Sequence, residues 1–452
     1  MGDSDVLDLR SLDRDVARAV GQVEEWRSGL NDDPGTRSQE DPFDGVRRVS
    51  AKSTRDALLA YEPSDSERLL RDSLLRWTAA LVQTRIGLAD DVAFALEANA
   101  PRGRFEGEET KLVSWREAWR RLVAARTVAE TRLWLDAAGD AAPSIAALNR
   151  TRASRRLEVA RRLGAPHPWA LLLSATPAAI GRSARRLLDV TEAIAEAQRK
   201  ESAPDAGGAA SVIHDALARG AAEGWPARLS PSWLERTFSG FVRGLPLRIE
   251  RLPPALGAAS FARALRAFGF SARIASAPAS LPFVVAREPA FIGAHRDAFL
   301  FASLAADPDF QQRMLGVSRR TALDQSRQLA RTALFEARLH AARIVLSTAD
   351  KSDDSAFEEM GTRLFGRPLD LRLRGAWPES RDDEPARFVA LLQVPSARTM
   401  LIDRFDVDWY RNPRGWAHLR AEGSRPAWEA VDDEALGPWA DGLGRAFEEA
   451  LG

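Results

Sequence analysis

Apolar residues recur along most of this chain at intervals of three and four, the spacing of one face of an α-helix. Ser-x-x-Glu capping signals stand at Ser64 and Ser114, each just before an apolar stripe. Pro143 opens a further predicted helix, which stops near Gly164. In the first half the pattern therefore predicts helices at 64–98, from 114 through 133, at 143–164 and at 177–200.

A stretch rich in Pro, Gly, Asp and Ser interrupts the pattern at residues 202–208. We therefore predict two lobes, 1–205 and 206–452. Short extended segments are predicted at 247–249 and 281–285. The helices predicted beyond the boundary lie at 209–223, 230–242, 256–269, 289–306, 318–349, 353–365, 385–405 and 436–450. The expected fold is mainly α, large and bilobal, with at most a few short strands.

Charge and composition narrow the classes of partner. Lys plus Arg and Asp plus Glu both number 64, so there is no net attraction to nucleic acid or to an anionic membrane. Six arginines between residues 150 and 162 are interspersed with apolar residues, which favours a solvated helix face over a phosphate-binding surface. Basic residues are nearly all Arg, a usage typical of a high-GC bacterial genome. We expect neither nucleic acid nor membrane as a partner.

The location of the protein is predicted from two further features. The sequence has no apolar run near the roughly 20 residues that span a bilayer. Its acidic start, Met1 to Asp5, does not resemble a secretory signal. A cytoplasmic location is the resulting expectation.

Motifs for the common chemistries are absent from the sequence. With no cysteine, disulfides, thiolate metal sites and cysteine nucleophiles are excluded. None of the five histidines is the first residue of an HExxH motif. In that motif two zinc-binding imidazoles lie one helical turn apart, with a catalytic Glu between them. Phosphate-binding GxxxxGK[ST] and GxGxxG loops and the GxSxG nucleophile elbow are also missing. We therefore predict no metal, no cofactor and no standard catalytic residue.

Two weaker polar pairs remain. Glu336 and His340 are four apart on a predicted helix and share a face, whereas His295 and Asp297 are two apart and diverge. For both pairs an ion pair or a hydrogen-bonded histidine is favoured over a metal site. The acidic pairs at 353–354 and 382–383 lie in predicted polar loops, where solvation is the expected explanation.

The sequence contains 13 tryptophans. Trp115, Trp119 and Trp134 have helical spacing, which favours a core over a ligand-stacking platform. A second group near the C-terminus is interpreted in the same way, as packing between terminal helices: Trp409, Tyr410, Trp416, Trp428 and Trp439.

Four stretches of the C-terminal half resemble the thimet oligopeptidase and oligoendopeptidase superfamily of helical zinc peptidases. Residues 298–310 resemble the helix that delivers the third zinc ligand, together with its trailing turn. Residues 331–346 and 386–407 resemble the long helix that follows and the penultimate helix. Residues 404–415, RFDVDWYRNPRG, resemble the FGxDWWxNPxAG tail and are the most specific of the four.

The departures from this family bear directly on activity. By register, the metal-binding helix falls near residues 257–268, where Ser260, Phe261 and Ala264 stand in place of HExxH. The third ligand, normally Glu, maps onto His295 or a neighbour. The resemblance therefore implies a degenerate member without zinc, because a site stripped of its ligands cannot activate a water molecule.

Three hypotheses follow. The favoured one is a non-catalytic, peptidase-like protein that binds a peptide or protein partner in a residual cleft. The second is a helical scaffold without a ligand cleft. The third is a hydrolase with an unconventional site built from His295 and the polar residues Asp297, Glu336 and His340.

Overall fold

The computed structural model describes residues 7–30, 32–107, 109–125, 127–201, 224–225, 233, 236–238, 258–349, 354–378, 381–423 and 431–452, with the backbone alone for 123–124, 128, 201 and 258–260. Within these ranges the fold is helical, with one two-stranded sheet. This confirms the mainly α fold class. None of the helices in these ranges has the length and apolar character needed to span a membrane.

The first half of the chain, up to residue 201, contains eight α-helices and the two strands. They are α1 Leu9–Leu30, α2 Pro34–Arg37, α3 Lys52–Ala60, α4 Asp65–Asn99, β1 Pro101–Glu106, β2 Thr110–Ser114, α5 Trp115–Ala124, α6 Val128–Arg162, α7 Pro177–Val190 and α8 Glu192–Glu201.

The described ranges of the second half contain nine more. They are α9 Ala258–Ala275, α10 Phe283–Ala286, α11 Ile292–Ser303, α12 Pro308–Leu315, α13 Arg319–Thr348, α14 Asp354–Phe365, α15 Glu384–Phe405, α16 Pro413–Gly423 and α17 Leu436–Leu451. The helix predicted at 209–223 and the strand predicted at 247–249 lie outside the described residues. Of the helix predicted at 230–242, only residues 233 and 236–238 are described.

Helix α6 corrects the prediction that a new helix opens at Pro143. The helix begins at Val128, behind a capping box of Thr127 and Glu130, and runs through Pro143 to Arg162. An interior proline costs about 3 kcal/mol. Packing offsets this cost, because the flanking face is almost fully buried: Ala137, Ala138, Ala141, Ala142, Ile145 and Ala146. The helix predicted from Ser114 is correspondingly shorter and ends at Ala124.

A hairpin lies between the predicted helices at 64–98 and from 114, where the sequence pattern predicts no element. Strands β1 and β2 pair antiparallel with Phe105 opposite Lys111. Gly103 lies so close to α6 that a Cβ there would be 2.2 Å from the carbonyl oxygen of Ala137. Glycine is therefore required for the hairpin to lie against α6.

The helix predicted at 177–200 is two helices with a break at Thr191. The Thr191 hydroxyl donates to the carbonyl of Leu187 at 2.6 Å. Arg338, on α13, donates to that hydroxyl at 2.7 Å and to the carbonyl of Leu188 at 2.9 Å. Hydrogen bonds from a distant helix thus stabilise the break. The local spacing of apolar residues cannot predict such bonds.

The segment predicted as extended at 281–285 instead contains the short helix α10. Its first N–H groups, those of Phe283 and Val284, donate to the carboxylate of Asp13 at 3.2 and 2.9 Å. A side chain from α1 therefore satisfies donors that a helix N-terminus leaves open. A small core joins α1 and α4 to this helix, with Leu12, Val16, Leu74, Trp77, Val284 and Val285 among its members.

The largest core crosses the predicted lobe boundary. Leu187 and Leu188 of α7 belong to the same buried cluster as Ile344 of α13 and Leu443 of α17. The linker itself lies outside the described residues, and the division at residue 206 stays a prediction. In the described ranges, the end of the predicted first lobe packs directly onto helices of the second.

The tryptophan predictions are confirmed where the structure describes them. Trp115 is buried, and its ring stacks on Trp119 with ring centroids 5.8 Å apart. Trp134 stacks on Phe105 of the hairpin at 4.1 Å. The rings that form the C-terminal packing cluster are Trp409, Tyr410 and Trp416, all less than 5% exposed. Trp428 lies outside the described residues.

Candidate functional site

Helices α9 and α11 lie antiparallel and in close contact. A Cβ at Gly269 would be 2.5 Å from the carbonyl oxygen of Asp297. This approach places the His295 ring beside that of Phe270, with centroids 5.1 Å apart. Phe261 instead stacks on Trp225 at 4.9 Å. The turn of α9 that faces His295 therefore contains Phe270, whereas the sequence predicted the turn of residues 260–264 there.

Arg266, one helical turn before Phe270, occupies the same side of α9. Its guanidinium lies 4.8 Å from the centroid of the Phe299 ring and forms an ion pair with Glu336 at 2.5 Å. Burial alone would raise the pKa of Glu336, but Arg266 holds that pKa below its usual value. The guanidinium of Arg266 is therefore a cation paired with the carboxylate of Glu336.

The predicted degenerate positions have different surroundings. Phe261 and Ala264 are buried in the large hydrophobic core, and only the backbone of Ser260 is described. His295, on α11, instead lies beside Phe270, which comes later in α9 than Phe261 and Ala264. Among these residues the structure thus packs Phe261 and Ala264 into the core and places His295 in a polar cluster.

That cluster also contains two of the three alternative polar residues. His340 is hydrogen bonded to Glu384, the first residue of α15, and Arg343 lies 3.6 Å from the same carboxylate. Burial would raise the pKa of Glu384, but His340 and Arg343 keep it low. Glu336 thus pairs with Arg266 and His340 with Glu384, so the two do not pair with each other.

Asp297 takes no part in this arrangement. Its carboxylate lies 3.6 Å from Arg273 and 3.3 Å from Arg296. As the sequence indicated, His295 and Asp297 diverge.

His295 is held in its neutral form. Burial, and then the charge of Arg387, lower the pKa of His295 from 6.5 to about 3. Its Nε2 lies 3.9 Å from a carboxylate oxygen of Asp383, which accepts a hydrogen bond from Arg387 at 2.6 Å. Burial would raise the pKa of Asp383, but the charge of Arg387 keeps it low. At neutral pH the imidazole is therefore an uncharged, buried group.

A dependence of stability on pH follows for His295. Because its folded pKa lies below its unfolded value, the unfolded chain binds an extra proton between about pH 6.5 and 3, and stability falls as pH drops through this window. The full slope for one group is about 1.4 kcal/mol per pH unit. We expect the free energy of unfolding, measured by urea denaturation, to fall less between about pH 6 and pH 5 in His295→Gln than in the parent protein.

The choice of pH range keeps this test specific. Asp383 and Glu384, whose pKa values are also lowered, lose their contribution only at more acidic pH. Burial also lowers the pKa of His167. Because His167 is present in both proteins, the variant keeps part of the dependence of stability on pH. A variant as pH-sensitive as the parent would show that His295 is not buried in its neutral form.

Beside this cluster lies a cavity of about 770 Å3. Residues of α1, α4, α6, α13 and α14 line it, together with residues from the segments 167–172, 289–291, 371–378 and 381–384. Its aromatic walls are formed by Trp77, Trp169, Phe291, Phe357 and Trp377. The acidic run Asp382, Asp383 and Glu384 lies at the side shared with the histidine cluster. A volume of this size accommodates a drug-sized molecule or a short peptide segment.

Two expectations about charged segments hold only in part. Asp382 is not simply solvated, since it forms ion pairs with Arg156 and, at 3.6 Å, with Arg152. Arg152 and Arg156 have side chains only 13% and 14% exposed, so this part of the 150–162 segment is a cavity wall. Their four-residue spacing on a helix and the acidic run before Pro385 are the sequence signals that could have identified both.

The zinc ion implied by the family resemblance does not fit these residues. Zinc sites in proteins use three or four His, Cys or carboxylate ligands. Within the described ranges, no three such side chains are grouped to hold a metal ion. His295 lies beside the ring of Phe270 and 3.9 Å from the carboxylate of Asp383, which is hydrogen bonded to Arg387.

The fold is similar to those of two solved peptidases. PZ peptidase A, solved with an inhibitor, gives a TM-score of 0.57 at 8% sequence identity, over 90% of this chain and 86% of that one. Oligoendopeptidase-F from Enterococcus faecium gives 0.52 at 10% identity, over 95% of this chain and 88% of that one. No family's sequence profile matches the chain, and neither does any curated protein. The similarity shows the helical fold alone.

Proposed function

We propose that this protein is a non-catalytic member of the peptidase-like fold that binds a peptide in its central cavity. The observation that carries the proposal is the cavity of about 770 Å3, walled by five aromatic rings, beside a histidine cluster that lacks zinc-ligand geometry. Both solved neighbours are peptidases by name, and one was solved with an inhibitor. A peptide is the kind of ligand that such folds accommodate.

We further propose that the lost metal-binding positions are Arg266 and Phe270 rather than Ser260 and Ala264. A zinc helix needs two imidazoles four residues apart that face the third ligand. Arg266 and Phe270 have this spacing and lie on the side of α9 that faces His295. A guanidinium and a phenyl ring at these positions supply no ligand to zinc.

A hydrolase with an unconventional site is the second candidate. The observation in its favour is that two His–carboxylate contacts, His295 with the partly exposed Asp383 and the buried pair of His340 with Glu384, adjoin the cavity. Against it, each carboxylate also has an arginine beside it, which favours a structural ion-pair network. A cytoplasmic location remains part of the proposal on the sequence grounds given above.

One experiment separates these candidates. Purified protein is incubated with a randomised hexapeptide library, with and without added zinc, and bound and cleaved peptides are identified by mass spectrometry. We expect retained peptides, no cleavage, and less than stoichiometric zinc in the dialysed protein. Cleavage that scales with protein concentration would support the hydrolase instead, and tightly held zinc at one equivalent would contradict the loss of the metal site.

A further inference from the structure

Arginine is the most frequent charged residue in the lining of the cavity. Among the described residues, its lining contains seven arginines and four carboxylates. The arginines are Arg27, Arg150, Arg152, Arg156, Arg343, Arg374 and Arg381. Since each guanidinium is charged at any physiological pH, the partners of these groups decide the local charge.

Part of this charge is neutralised within the protein. Arg374 pairs with Asp354, and Arg343 lies beside Glu384. Asp383 is committed to Arg387, which does not line the cavity. These groups leave little net charge at the end of the cavity near α13 and α14.

The wall formed by α6 is different. Arg27, Arg152 and Arg156 share the carboxylates of Asp91 and Asp382. Three cations therefore surround two anions. Burial and the neighbouring Arg152 lower the pKa of Arg156 to about 9, which reflects this crowding of positive charge.

Two further arginines add to this surplus. Arg150 and Arg381 line the cavity and form no ion pair within the described ranges. Arg381 acts on Asp383 and Glu384 only at a distance, where its charge helps to keep their pKa values low. With Glu24, the remaining carboxylate of the lining, these five arginines stand against three carboxylates.

Uncharged hydrogen-bonding groups complete the lining. The Asn149 side chain donates to the carbonyl of Gly375 at 2.8 Å, while its buried Oδ1 has no hydrogen-bond partner. The buried Nε2 of Gln83, on α4, and the Nε of Arg152 also lack partners. A buried donor or acceptor without a partner costs roughly 1–3 kcal/mol, so a ligand that supplies the missing groups is stabilised. A peptide backbone presents both an N–H and a C=O.

We propose that the cavity binds a peptide through a carboxylate of that peptide, which Arg150, Arg152 and Arg381 hold. Backbone amides of the peptide form hydrogen bonds with the side chains of Gln83 and Asn149. The inference rests on the proposed function and names its ligand class. The carboxylate comes either from an Asp or Glu side chain or from the peptide's own C-terminus. The aromatic walls then contact the apolar parts of the peptide.

The test is a selection from two random hexapeptide libraries, one with free and one with amidated C-termini, on immobilised full-length protein. Enrichment of Asp and Glu in both libraries identifies the side chain as the source. Enrichment confined to the free-ended library identifies the C-terminus. Retained peptides with neither preference would overturn the carboxylate inference and leave the proposed function standing. No retained peptide from either library would overturn both.

Matched variants then test the assignment. Arg150→Gln with Arg381→Gln removes two cavity cations that form no ion pair within the described ranges, so we expect the variant to keep the fold. We expect at least about a tenfold weaker affinity for the best carboxylate-bearing peptide, measured by calorimetry. Arg161→Gln with Arg162→Gln, which makes the same charge change on exposed turns of α6 outside the cavity, leaves the affinity unchanged. Equal affinities for the two double variants would overturn the assignment.

Discussion

Replacing Arg338 with methionine is expected to lower the free energy of unfolding by about 3 kcal/mol. Arg338 is 2% exposed, and its guanidinium reaches α7, α8 and α14 at once. It donates to the carbonyls of Leu188 and Arg363, at 2.9 and 2.8 Å, and to Thr191 and Glu192, at 2.7 and 2.6 Å. Methionine preserves most of the volume but donates no hydrogen bond to any of these acceptors. Glu192 and the carbonyl of Arg363 keep hydrogen bonds from Arg199.

The estimate takes the lower end of the range for broken buried ion pairs. Glu192 is partly exposed and keeps a second partner, Arg199. The measurement is urea unfolding followed by circular dichroism, and Arg320→Met, at an exposed position on α13, is the matched control. Equal midpoints for the two variants would show that Arg338 does not hold the break at Thr191 in place.

Truncation of Trp409 to alanine is expected to destabilise the protein by about 3–5 kcal/mol. The side chain is 1% exposed, and its ring meets Phe301 edge-on at 5.5 Å and Trp416 at 6.5 Å. Removal of a buried indole leaves a cavity that rigid aromatic neighbours cannot fill.

Trp439, on α17, is the control for this second prediction. It packs against the same core but is only partly buried, so Trp439→Ala is expected to cost less than Trp409→Ala. Thermal unfolding of both variants gives the comparison. The tail segment 404–415 would lose its interpretation as a packing element if the Trp409 variant were the more stable of the two.

Local signals predicted individual elements well where the interactions are local. The capping box of Ser64 and Glu67 does begin α4, because both of its hydrogen bonds lie within four residues. The errors occur where a distant group decides the conformation. Thr191 is a break because Arg338 binds there, and α10 is helical because Asp13 caps it. Neither interaction leaves a mark in the local spacing of apolar residues.

The candidate site shows the same division. His295, Glu336 and His340 were identified because titratable groups are few and visible in a sequence. Their partners were not identified, because Arg266, Asp383 and Glu384 are separated from them by 44 to 88 positions and meet them only through helix packing. The cavity itself, walled by residues from Val20 to Glu384, has no signature in any one segment.

By itself, the sequence determined the helical class, the absence of cysteine chemistry and the absence of a contiguous zinc motif, since each depends only on residue identity and short-range spacing. The tertiary structure decided which turn of α9 faces His295, and it made a cavity wall of arginines that seemed merely solvated. The physical reason is that burial sets the protonation state of a histidine and the strength of an arginine's interactions. Burial is a property of how distant helices pack together.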